Sequence, residues 1–393
     1  MSRKPRIAII GAGIGGLTAA ALLRRIGMDV HIYEQATQFS RVGAGIQMTP
    51  NPMRVLRVLG LEDRLRQISF TPLSGKSREW DTGVLTNELP GGADMEERFG
   101  APYFLLHRAD LHSALVDTVP SEIMSLGCKL EGIDHGYSGI TLRFTDGESV
   151  EADAVIAADG VHSVVRDQMH GKEEPTFTGR VAYRTTFSAS RLKQDVVGMS
   201  RTKWWGPDRH IVIYYITRNR DELYFVTSQP EDAGWMTPES WSSKGDVEVL
   251  RESFKGFHSD VREVLDACPE VYKWALLTRN PLSHWSEGNV ALLGDSCHPM
   301  APYMAQGAAM AIEDAAMLSR CLEGVELEGF ADAFKRYELN RRLRASEVQR
   351  ISNANTWLRS KTETMWLYGY DVWTAPLRQL GEEPAPVYWD DAA

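Results

Sequence analysis

The chain has little cysteine, with only four in 393 residues. A structural metal site usually needs closely spaced Cys or His pairs, and a small secreted fold carries a dense set of disulfide-forming cysteines. Neither pattern occurs in this sequence. The sequence therefore predicts a reducing, cytoplasmic location and no metal site. The four cysteines are expected to be unpaired thiols, at Cys128, Cys268, Cys297 and Cys321.

Long apolar runs are also absent, and a membrane-spanning helix needs about 18 or more consecutive apolar residues. Near the N-terminus, basic residues precede the short apolar run Ile7–Ile10, which imitates a signal peptide. That run breaks at Gly11, and no small-residue cleavage pattern follows it. The segment is predicted to be a buried strand, and no association with a membrane is expected.

Clustered positive charge is lacking as well. The formal net charge is −10, and no Lys/Arg cluster offers a surface for phosphate backbones, so nucleic acid is not an expected partner. With 43% apolar residues the chain can bury a sizeable core. The expected partner is a small molecule, and the sequence leaves open whether the protein is a monomer or a homodimer.

What the sequence does have is a glycine-rich motif between two predicted strands. Strand Arg6–Ile10 leads into Gly11-Ala12-Gly13-Ile14-Gly15-Gly16, a helix is predicted over 13–26, and a second strand ends at Glu34. In such a unit the first glycine permits a tight turn, the second lets backbone approach a pyrophosphate, and a later one lets helix and strand pack closely. An acidic residue about twenty positions further on suits a ribose hydroxyl. The unit predicts a dinucleotide site, but by itself it does not distinguish FAD from NAD.

Two later segments repeat the pattern of a buried strand followed by a polar turn. The apolar run Ala154–Ala158 is followed by Asp159-Gly160, and Val290–Leu293 is followed by Gly294-Asp295. A helix is then predicted from about Pro302 to Leu322, with Gly307 in its first turns. No second glycine-rich motif is present for NAD. Three such turns around one cofactor predict FAD. The nicotinamide cofactor is then expected to bind transiently, without a dinucleotide-binding domain of its own.

These signals make the chain resemble the single-component FAD-dependent aromatic hydroxylases, the family that contains para-hydroxybenzoate and salicylate hydroxylases. The resemblance covers nearly the whole chain and implies an α/β fold: an FAD-binding Rossmann-like domain of the para-hydroxybenzoate hydroxylase type, an inserted β-sheet substrate domain and C-terminal helices. The alternating, aromatic pattern after Thr176 agrees with such a sheet. The expected boundaries are 1–175 and 276–393 for the FAD-binding parts and 176–275 for the substrate domain.

Within this family the chain is most similar to the group that acts on 6-hydroxynicotinate. The segments that carry this similarity are Lys203-Trp204-Trp205, Asp208-Arg209-His210, Tyr214-Tyr215, Met304-Ala305-Gln306-Gly307, Ile312-Glu313-Asp314-Ala315 and Asn353-Ala354-Asn355-Thr356-Trp357-Leu358. The long charged segment from Phe330 is predicted to be a helix to Leu358. Its charged residues are predicted to form a solvated face by default, with a subunit contact as the alternative: Arg341, Arg342, Arg344, Glu347 and Arg350.

The resemblance assigns roles to cofactor-binding residues. Arg108 is expected to reach the FAD phosphates, Asp295 to hold ribityl or ribose hydroxyls, and Asp159 to lie near both cofactors, although either aspartate is also a candidate helix cap. The start of the helix after Pro302 is expected to face the flavin edge that becomes electron-rich on reduction. The full expected set is Gly11, Gly13, Gly15, Gly16, Glu34, Gln35, Gly45, Arg108, Asp159, Asp295, Pro302, Gly307 and Ala308.

A second set of residues is expected at the substrate. Period-two geometry places His210 and Tyr214 on one face of a predicted strand, and the resemblance puts them beside the ring, where they would promote deprotonation. The same two residues also suit ordinary packing in a sheet. The candidate catalytic residues are His210, Tyr214, Gln47 and Tyr303, and the candidate substrate-binding residues are these four and Arg201.

Three of these positions depart from the 6-hydroxynicotinate group. Gln47 and Tyr303 stand where that group has histidines, and Arg201, in a loop alignment, stands where it has a cysteine. A glutamine amide cannot take up a proton near neutral pH as imidazole does. Arg201 would suit a substrate carboxylate. These departures leave the salicylate, 3-hydroxybenzoate and 6-hydroxypicolinate branches open as alternatives.

The predicted reaction follows from the resemblance. NADH or NADPH would reduce FAD, O₂ would form a C4a-hydroperoxyflavin, and a hydroxyl would pass to a hydroxylated pyridine or benzene carboxylate, with decarboxylation if the attacked carbon bears the carboxylate. The small aromatic acid and O₂ are thus the expected partners. Two alternatives from other classes are a flavin enzyme that does not oxygenate a ring, such as a reductase, and a module that binds the dinucleotide without chemistry.

Overall fold

The computed structural model describes residues 4–41, 44–136, 139–232, 243–385 and 387. Its strands are β1 (Arg6–Ile10), β2 (Asp29–Glu34), β3 (Gly45–Met48), β4 (Ser74–Glu79), β5 (Leu85–Pro90), β6 (Phe104–His107), β7 (Met124–Leu126), β8 (Leu130–His135), β9 (Ile140–Phe144), β10 (Ser149–Ala152), β11 (Ala154–Ala157), β12 (Thr176–Ser188), β13 (Ser200–Trp205), β14 (His210–Tyr215), β15 (Glu222–Pro230), β16 (Lys244–Gly245), β17 (Val271–Thr278), β18 (Ser286–Glu287) and β19 (Val290–Leu292). Its α-helices are α1 (Ile14–Arg25), α2 (Pro50–Val58), α3 (Glu62–Ile68), α4 (Gly92–Phe99), α5 (Arg108–Val116), α6 (Val164–His170), α7 (Val247–Ser253), α8 (Ser259–Ala267), α9 (Gly307–Leu322), α10 (Phe330–Ala354) and α11 (Met365–Tyr368).

The first sheet has six strands in the order β18-β19-β11-β1-β2-β7. Strands β19, β11, β1, β2 and β7 run parallel, and only the edge strand β18 is antiparallel to its neighbour. Because β1, β11 and β19 lie side by side and point the same way, the three turns that follow them open at the same edge of the sheet. The prediction that the three polar turns converge is therefore consistent with the strand order.

A second sheet of eight strands follows the order β16-β17-β12-β15-β14-β13-β4-β5. It is antiparallel except for the β13–β4 pair, which is parallel. Most of its strands fall in the predicted segment 176–275. The sheet also takes β4 and β5 from earlier in the chain, and β17 ends at Thr278. The substrate-side sheet is thus assembled from two stretches of sequence.

The helix predicted from Pro302 begins later in the structure. Pro302–Met304 is a single 3₁₀ turn, Ala305 adopts a left-handed conformation with φ 55°, and α9 starts at Gly307. A left-handed residue cannot continue a right-handed helix, so the chain changes direction before α9 begins. The helix start predicted at Pro302 therefore lies at Gly307.

Helix α10 corrects a second expectation. It ends at Ala354, and Asn355 closes it in a left-handed conformation, so the helix does not reach Leu358. Arg341 and Arg344 are buried, not part of a solvated face as predicted, because the acidic side chains Glu313 and Asp314 of α9 pack against them. Over the described ranges, no helix combines the length and apolar character needed to cross a bilayer.

Candidate active site

A cavity of about 370 Å³ opens between the six-stranded sheet, the eight-stranded sheet and the start of α9. It brings together residues that are far apart in the sequence, among them the first glycine turn, β3, the start of α5 and the turn after β19. Eight of the predicted cofactor-binding residues line it, namely Gly13, Gly15, Gly45, Arg108, Asp295, Pro302, Gly307 and Ala308. Five others, Gly11, Gly16, Glu34, Gln35 and Asp159, lie outside its wall.

The glycines of the first turn fall into two groups. A Cβ on Gly16 would lie 2.0 Å from the carbonyl oxygen of Gly11, and a Cβ on Gly11, whose φ is +98°, would lie 2.4 Å from the carbonyl oxygen of Ala158. These two glycines allow close packing of backbone. Gly13 has nothing within 4 Å of its Cβ position and borders the cavity. The turn thus leaves open space at the point where a pyrophosphate would approach the start of α1, which fits a dinucleotide.

Glu34 is held rigidly at the end of β2. Its two carboxylate oxygens accept hydrogen bonds from the backbone N–H groups of Ala12 at 2.7 Å and Ala36 at 2.8 Å. Each oxygen keeps a lone pair for a further donor, so the carboxylate remains suited to a ribose hydroxyl. Gln35 is exposed.

The two aspartates predicted at the cofactor occupy different environments. The carboxylate of Asp159 accepts a hydrogen bond from the N–H of Val164 at 2.9 Å and so caps α6, while the next residue, Gly160, lines the cavity. Burial raises the pKa of Asp159. Asp295 lies on the 3₁₀ turn after β19 and borders the cavity directly. Of the two, Asp295 is the one placed to contact a cofactor in the cavity.

The first turn of α9 points into the cavity through Gly307 and Ala308. The unpaired N–H groups and the positive end of the dipole of this 16-residue helix lie there. A group that becomes negatively charged would be stabilised at this position. The isoalloxazine ring of a reduced flavin is such a group, so this wall also fits FAD.

A second, narrower pocket adjoins the cavity. Four of the predicted substrate-site residues line it: Gln47, Arg201, His210 and Tyr303. The fifth, Tyr214, lies on the same strand face as His210 but lines the larger cavity. Gln47, Val226, Pro302 and Ala305 border both spaces, so a molecule in the pocket would lie directly beside one in the cavity.

Gln47 links two tyrosines at this junction. Its side-chain oxygen accepts a hydrogen bond from the hydroxyl of Tyr103, and its side chain also forms a hydrogen bond with the side chain of Tyr214. Burial raises the pKa of Tyr214 well above its ordinary range, and the adjacent Tyr224 adds to the effect. Tyr214 therefore remains protonated near neutral pH. It can donate a hydrogen bond to a ligand.

His210 is buried in the wall of the narrower pocket. Its side chain is 4% exposed, and its ring centroid lies 5.4 Å from that of Tyr303. Burial lowers the pKa of His210 well below its ordinary range, with further lowering from Lys203 and Arg180. The imidazole is therefore neutral near pH 7 and can accept a proton. The hydroxyl of Tyr303 is fixed by a 2.8 Å hydrogen bond with Ser228.

Several residues that line these spaces were not predicted. Lys203 lies two residues after Arg201 on β13, so the alternation of the strand would have placed both on one face. Arg184 and Trp274 line the larger cavity, with the guanidinium 4.2 Å from the ring centroid, and burial lowers the pKa of Arg184 to about 10. Tyr103 precedes β6, and no local pattern in the sequence connects it to Gln47.

Comparison with known proteins places this geometry in a family. Residues 4–352 match the family model described as "FAD binding domain". The chain is 46% identical over 380 residues to the 6-hydroxynicotinate 3-monooxygenase of Pseudomonas fluorescens, an alignment that covers 96% of this chain and 98% of the relative. It is 39% identical to the 3-amino-4-hydroxybenzoate 2-monooxygenase PtnB3 of Streptomyces platensis, covering 89% of this chain and 87% of the relative.

Solved structures agree in fold. Klebsiella pneumoniae HpxO, complexed with FAD and uric acid, superimposes with a TM-score of 0.79 at 25% identity, and the match covers 89% of this chain and 87% of that one. The predicted resemblance, the predicted α/β fold and the predicted cofactor FAD are therefore confirmed.

Proposed function

Because the chain belongs to the FAD binding domain family and is an FAD-dependent aromatic-ring monooxygenase, we propose that it hydroxylates a ring bearing both a hydroxyl and a carboxylate. The reductant is NADH or NADPH, and O₂ supplies the new oxygen. The observation that carries this proposal is the shared wall between the cavity and the narrower pocket, because a substrate ring that extended from the pocket into the cavity would lie beside a flavin bound there.

The charge of the narrower pocket supports an anionic substrate. Arg201 and Lys203 line it, and none of the described residues in its wall is acidic. Arg201 is 9% exposed, and its Nε has no hydrogen-bond partner among the described residues. A buried cation without a counter-charge is costly, so a ligand carboxylate would be favoured here.

The chain's own residues would then prepare the ring. When bound, FAD supplies the activated oxygen. Transfer of that oxygen as a hydroxyl needs an electron-rich carbon on the substrate ring. His210 accepts the proton of the ring hydroxyl at an imidazole nitrogen, which raises the electron density at the ring positions ortho and para to that oxygen. Tyr214 and Gln47 orient the ring by hydrogen bonds, and the first turn of α9 steadies negative charge on the flavin edge.

The identity of the ring isomer follows less directly. The 46% identity to a 6-hydroxynicotinate 3-monooxygenase makes 6-hydroxynicotinate the first candidate, with replacement of the carboxylate by a hydroxyl. Gln47, Tyr303 and Arg201 differ from the pattern of that group in the very pocket where the ring would lie. The alternatives that we propose on this ground are 6-hydroxypicolinate, salicylate and 3-hydroxybenzoate.

The test is a substrate screen with the FAD-loaded protein. Each of the four acids is mixed with NADH or NADPH in air, and we expect one acid to stimulate nicotinamide oxidation with an equal amount of hydroxylated product. Release of CO₂ in equal amount would identify the decarboxylating reaction. If acids stimulate oxidation but all the oxygen consumed appears as hydrogen peroxide, the non-oxygenating flavin reductase is correct and the proposal is wrong.

A further inference from the structure

The narrower pocket contains a buried lysine for which the cofactor chemistry gives no role. Lys203 lies on β13, between Arg201 and Trp205 on the same face of the strand, and opposite Val212 of β14. Its side chain is 4% exposed and lines the pocket together with His210 and Tyr303. Lysine is rarely buried without a partner, so its neighbours are informative.

Aromatic rings, not carboxylates, surround the ammonium group. The Nζ atom lies 3.7 Å from the ring centroid of Trp205 and 5.8 Å from that of Tyr303. Within the described part of the chain, Lys203 forms no ion pair and no hydrogen bond, and no acidic residue lines the pocket. Cation–π contacts offset only part of the cost of removing an ammonium from water. The site is incomplete without an anion.

The electrostatics of the pocket also favour an anionic ligand beside Lys203. Burial lowers the pKa of Lys203 well below its ordinary range, and Arg201, Arg180 and Arg359 lower it further. A negatively charged ligand atom beside Nζ would reverse this effect and favour the ammonium form. Arg201 and Lys203 lie on one strand face, so the pocket offers two cations, which suit a ligand with two anionic groups.

We propose that Lys203 is the group that binds the ionised ring hydroxyl of the substrate, a specificity role that rests on the proposed function. The O–H bond of the ring breaks, the proton goes to an imidazole nitrogen of His210, and the electron pair stays on the ring oxygen. Lys203 then holds that oxyanion as an ion pair, while Arg201 holds the carboxylate. The pocket thereby selects acids that also carry an ionisable hydroxyl.

Paired ligands test this role without turnover. The FAD-loaded protein is titrated with 6-hydroxynicotinate and with nicotinate, which differ only in the hydroxyl, and binding is followed by the change in flavin absorbance. The same titrations are made with salicylate and benzoate. We expect the hydroxyl to improve the affinity of the wild-type protein by about 10- to 100-fold in at least one pair, as for hydrogen bonds to charged groups.

The variant Lys203→Met keeps the length of the side chain and removes the charge. In this variant we expect the affinity ratio within the pair to fall to near one, and the absorption spectrum of the bound hydroxylated acid to change from the anionic to the neutral form. Lys203→Arg should retain most of the ratio. The control is Lys76→Met on the adjacent strand β4, where Lys76 faces Glu88 outside the pocket and its loss should leave the ratio unchanged.

The outcomes separate this inference from the proposed function. If the wild-type protein hydroxylates an acid but Lys203→Met keeps the full affinity ratio with bound flavin, the inference is wrong and the proposed function stands. If the wild-type protein neither distinguishes the paired ligands nor hydroxylates any of the four acids, the proposed function is wrong and the inference falls with it. A Lys203→Met protein that loses flavin is replaced by Lys203→Gln in the same titrations.

Discussion

At the scale of single residues, burial sets the protonation states of two side chains on one face of β14. Burial moves the pKa of His210 down and that of Tyr214 up, so both side chains are neutral near pH 7. Neutral His210 can accept a proton at its unprotonated ring nitrogen, and the Tyr214 hydroxyl can donate a hydrogen bond. The cations Lys203 and Arg180 add to the shift of His210, and the adjacent Tyr224 adds to that of Tyr214.

Replacement of His210 by Gln tests the proposed base. The amide keeps hydrogen-bonding capacity but cannot take up a proton, so we expect product formation to slow by about 100- to 10,000-fold while the flavin content stays unchanged. The measurement is the rate of hydroxylated product per bound FAD. His284→Gln, remote from the pocket, is the matched control. Unchanged turnover in the His210 variant would remove its assigned role.

The glycine turn allows a second comparison, between Gly13 and Gly16. A Cβ at Gly13 would meet no atom within 4 Å, so we expect Gly13→Ala to preserve the stability of the apoprotein. We expect Gly13→Asp to abolish flavin retention, because its carboxylate would place a negative charge at the phosphates. Alanine at Gly16 would overlap the carbonyl oxygen of Gly11 and should destabilise the fold by about 1–3 kcal/mol. Flavin retention and thermal unfolding of the three variants measure these effects. Retention of FAD by Gly13→Asp would place the phosphates elsewhere.

Single residues also show what the sequence could predict. The resemblance assigns Gln47, His210 and Tyr303 to one site, and they line one pocket. Tyr103 was missed because its contact with Gln47 joins residues 56 positions apart, and no local pattern encodes such a contact. Lys203 was named only as part of a motif, although its alternation with Arg201 on a strand placed it on the pocket face.

At the scale of elements, α9 and α10 are joined by a buried ionic network beneath the flavin wall. Arg341 donates to Glu313 and to Asp314, each at 2.7 Å, and Arg344 donates to Glu313 at 2.9 Å. Burial pushes the pKa of Glu313 up, but the two arginines outweigh it and hold the pKa below its ordinary value. Asn51 connects Glu313 to Gln306, the residue just before α9. The network therefore fixes the helix start that faces the flavin.

Because Arg341 pairs with both Glu313 and Asp314, its loss should lower the free energy of unfolding. We expect Arg341→Met to destabilise the protein by about 3–5 kcal/mol, because two buried carboxylates lose a counter-charge. Arg342→Met is the control, since the neighbouring Arg342 is 35% exposed and pairs with Glu338 only at 3.5 Å. Urea unfolding of both variants gives the comparison. Equal stability of the two would mean that the network contributes little.

The same elements explain two wrong predictions. The prediction of a solvated charge run after Phe330 fails because sequence patterns cannot show that Glu313 and Asp314 lie opposite Arg341 and Arg344 in space. The predicted start of α9 is too early because alanine is a strong helix former, so the residue type of Ala305 does not indicate its left-handed conformation. Elements defined by buried apolar runs, such as β1 and β11, are located correctly.

At the scale of the whole molecule, the order of three strand-and-turn units is sufficient to predict the α/β fold and FAD. The strand order places β1, β11 and β19 side by side, so their following turns meet at one edge. The proposed boundaries 1–175, 176–275 and 276–393 stay a prediction. The sequence does not show that β4 and β5 join the second sheet, because β4 pairs with β13 across more than 100 residues and β5 joins through its pairing with β4.

The buried histidines give the whole protein an expected dependence of stability on pH. Burial lowers the pKa of His107 and of His210 below the value of 6.5 that a histidine has in the unfolded chain. As the pH falls below 6.5, the unfolded chain therefore binds protons that the folded protein does not, and the free energy of unfolding decreases by up to about 1.4 kcal/mol per pH unit for each group.

We expect full stability above pH 7 and a clear loss between pH 6.5 and 5.5, measured by urea unfolding with excess FAD. His210→Gln should reduce the slope of this loss because one of the two groups no longer titrates in the unfolded chain. A free energy of unfolding that stays constant from pH 7.5 to 5.5 would show that these imidazoles are not held neutral by the fold.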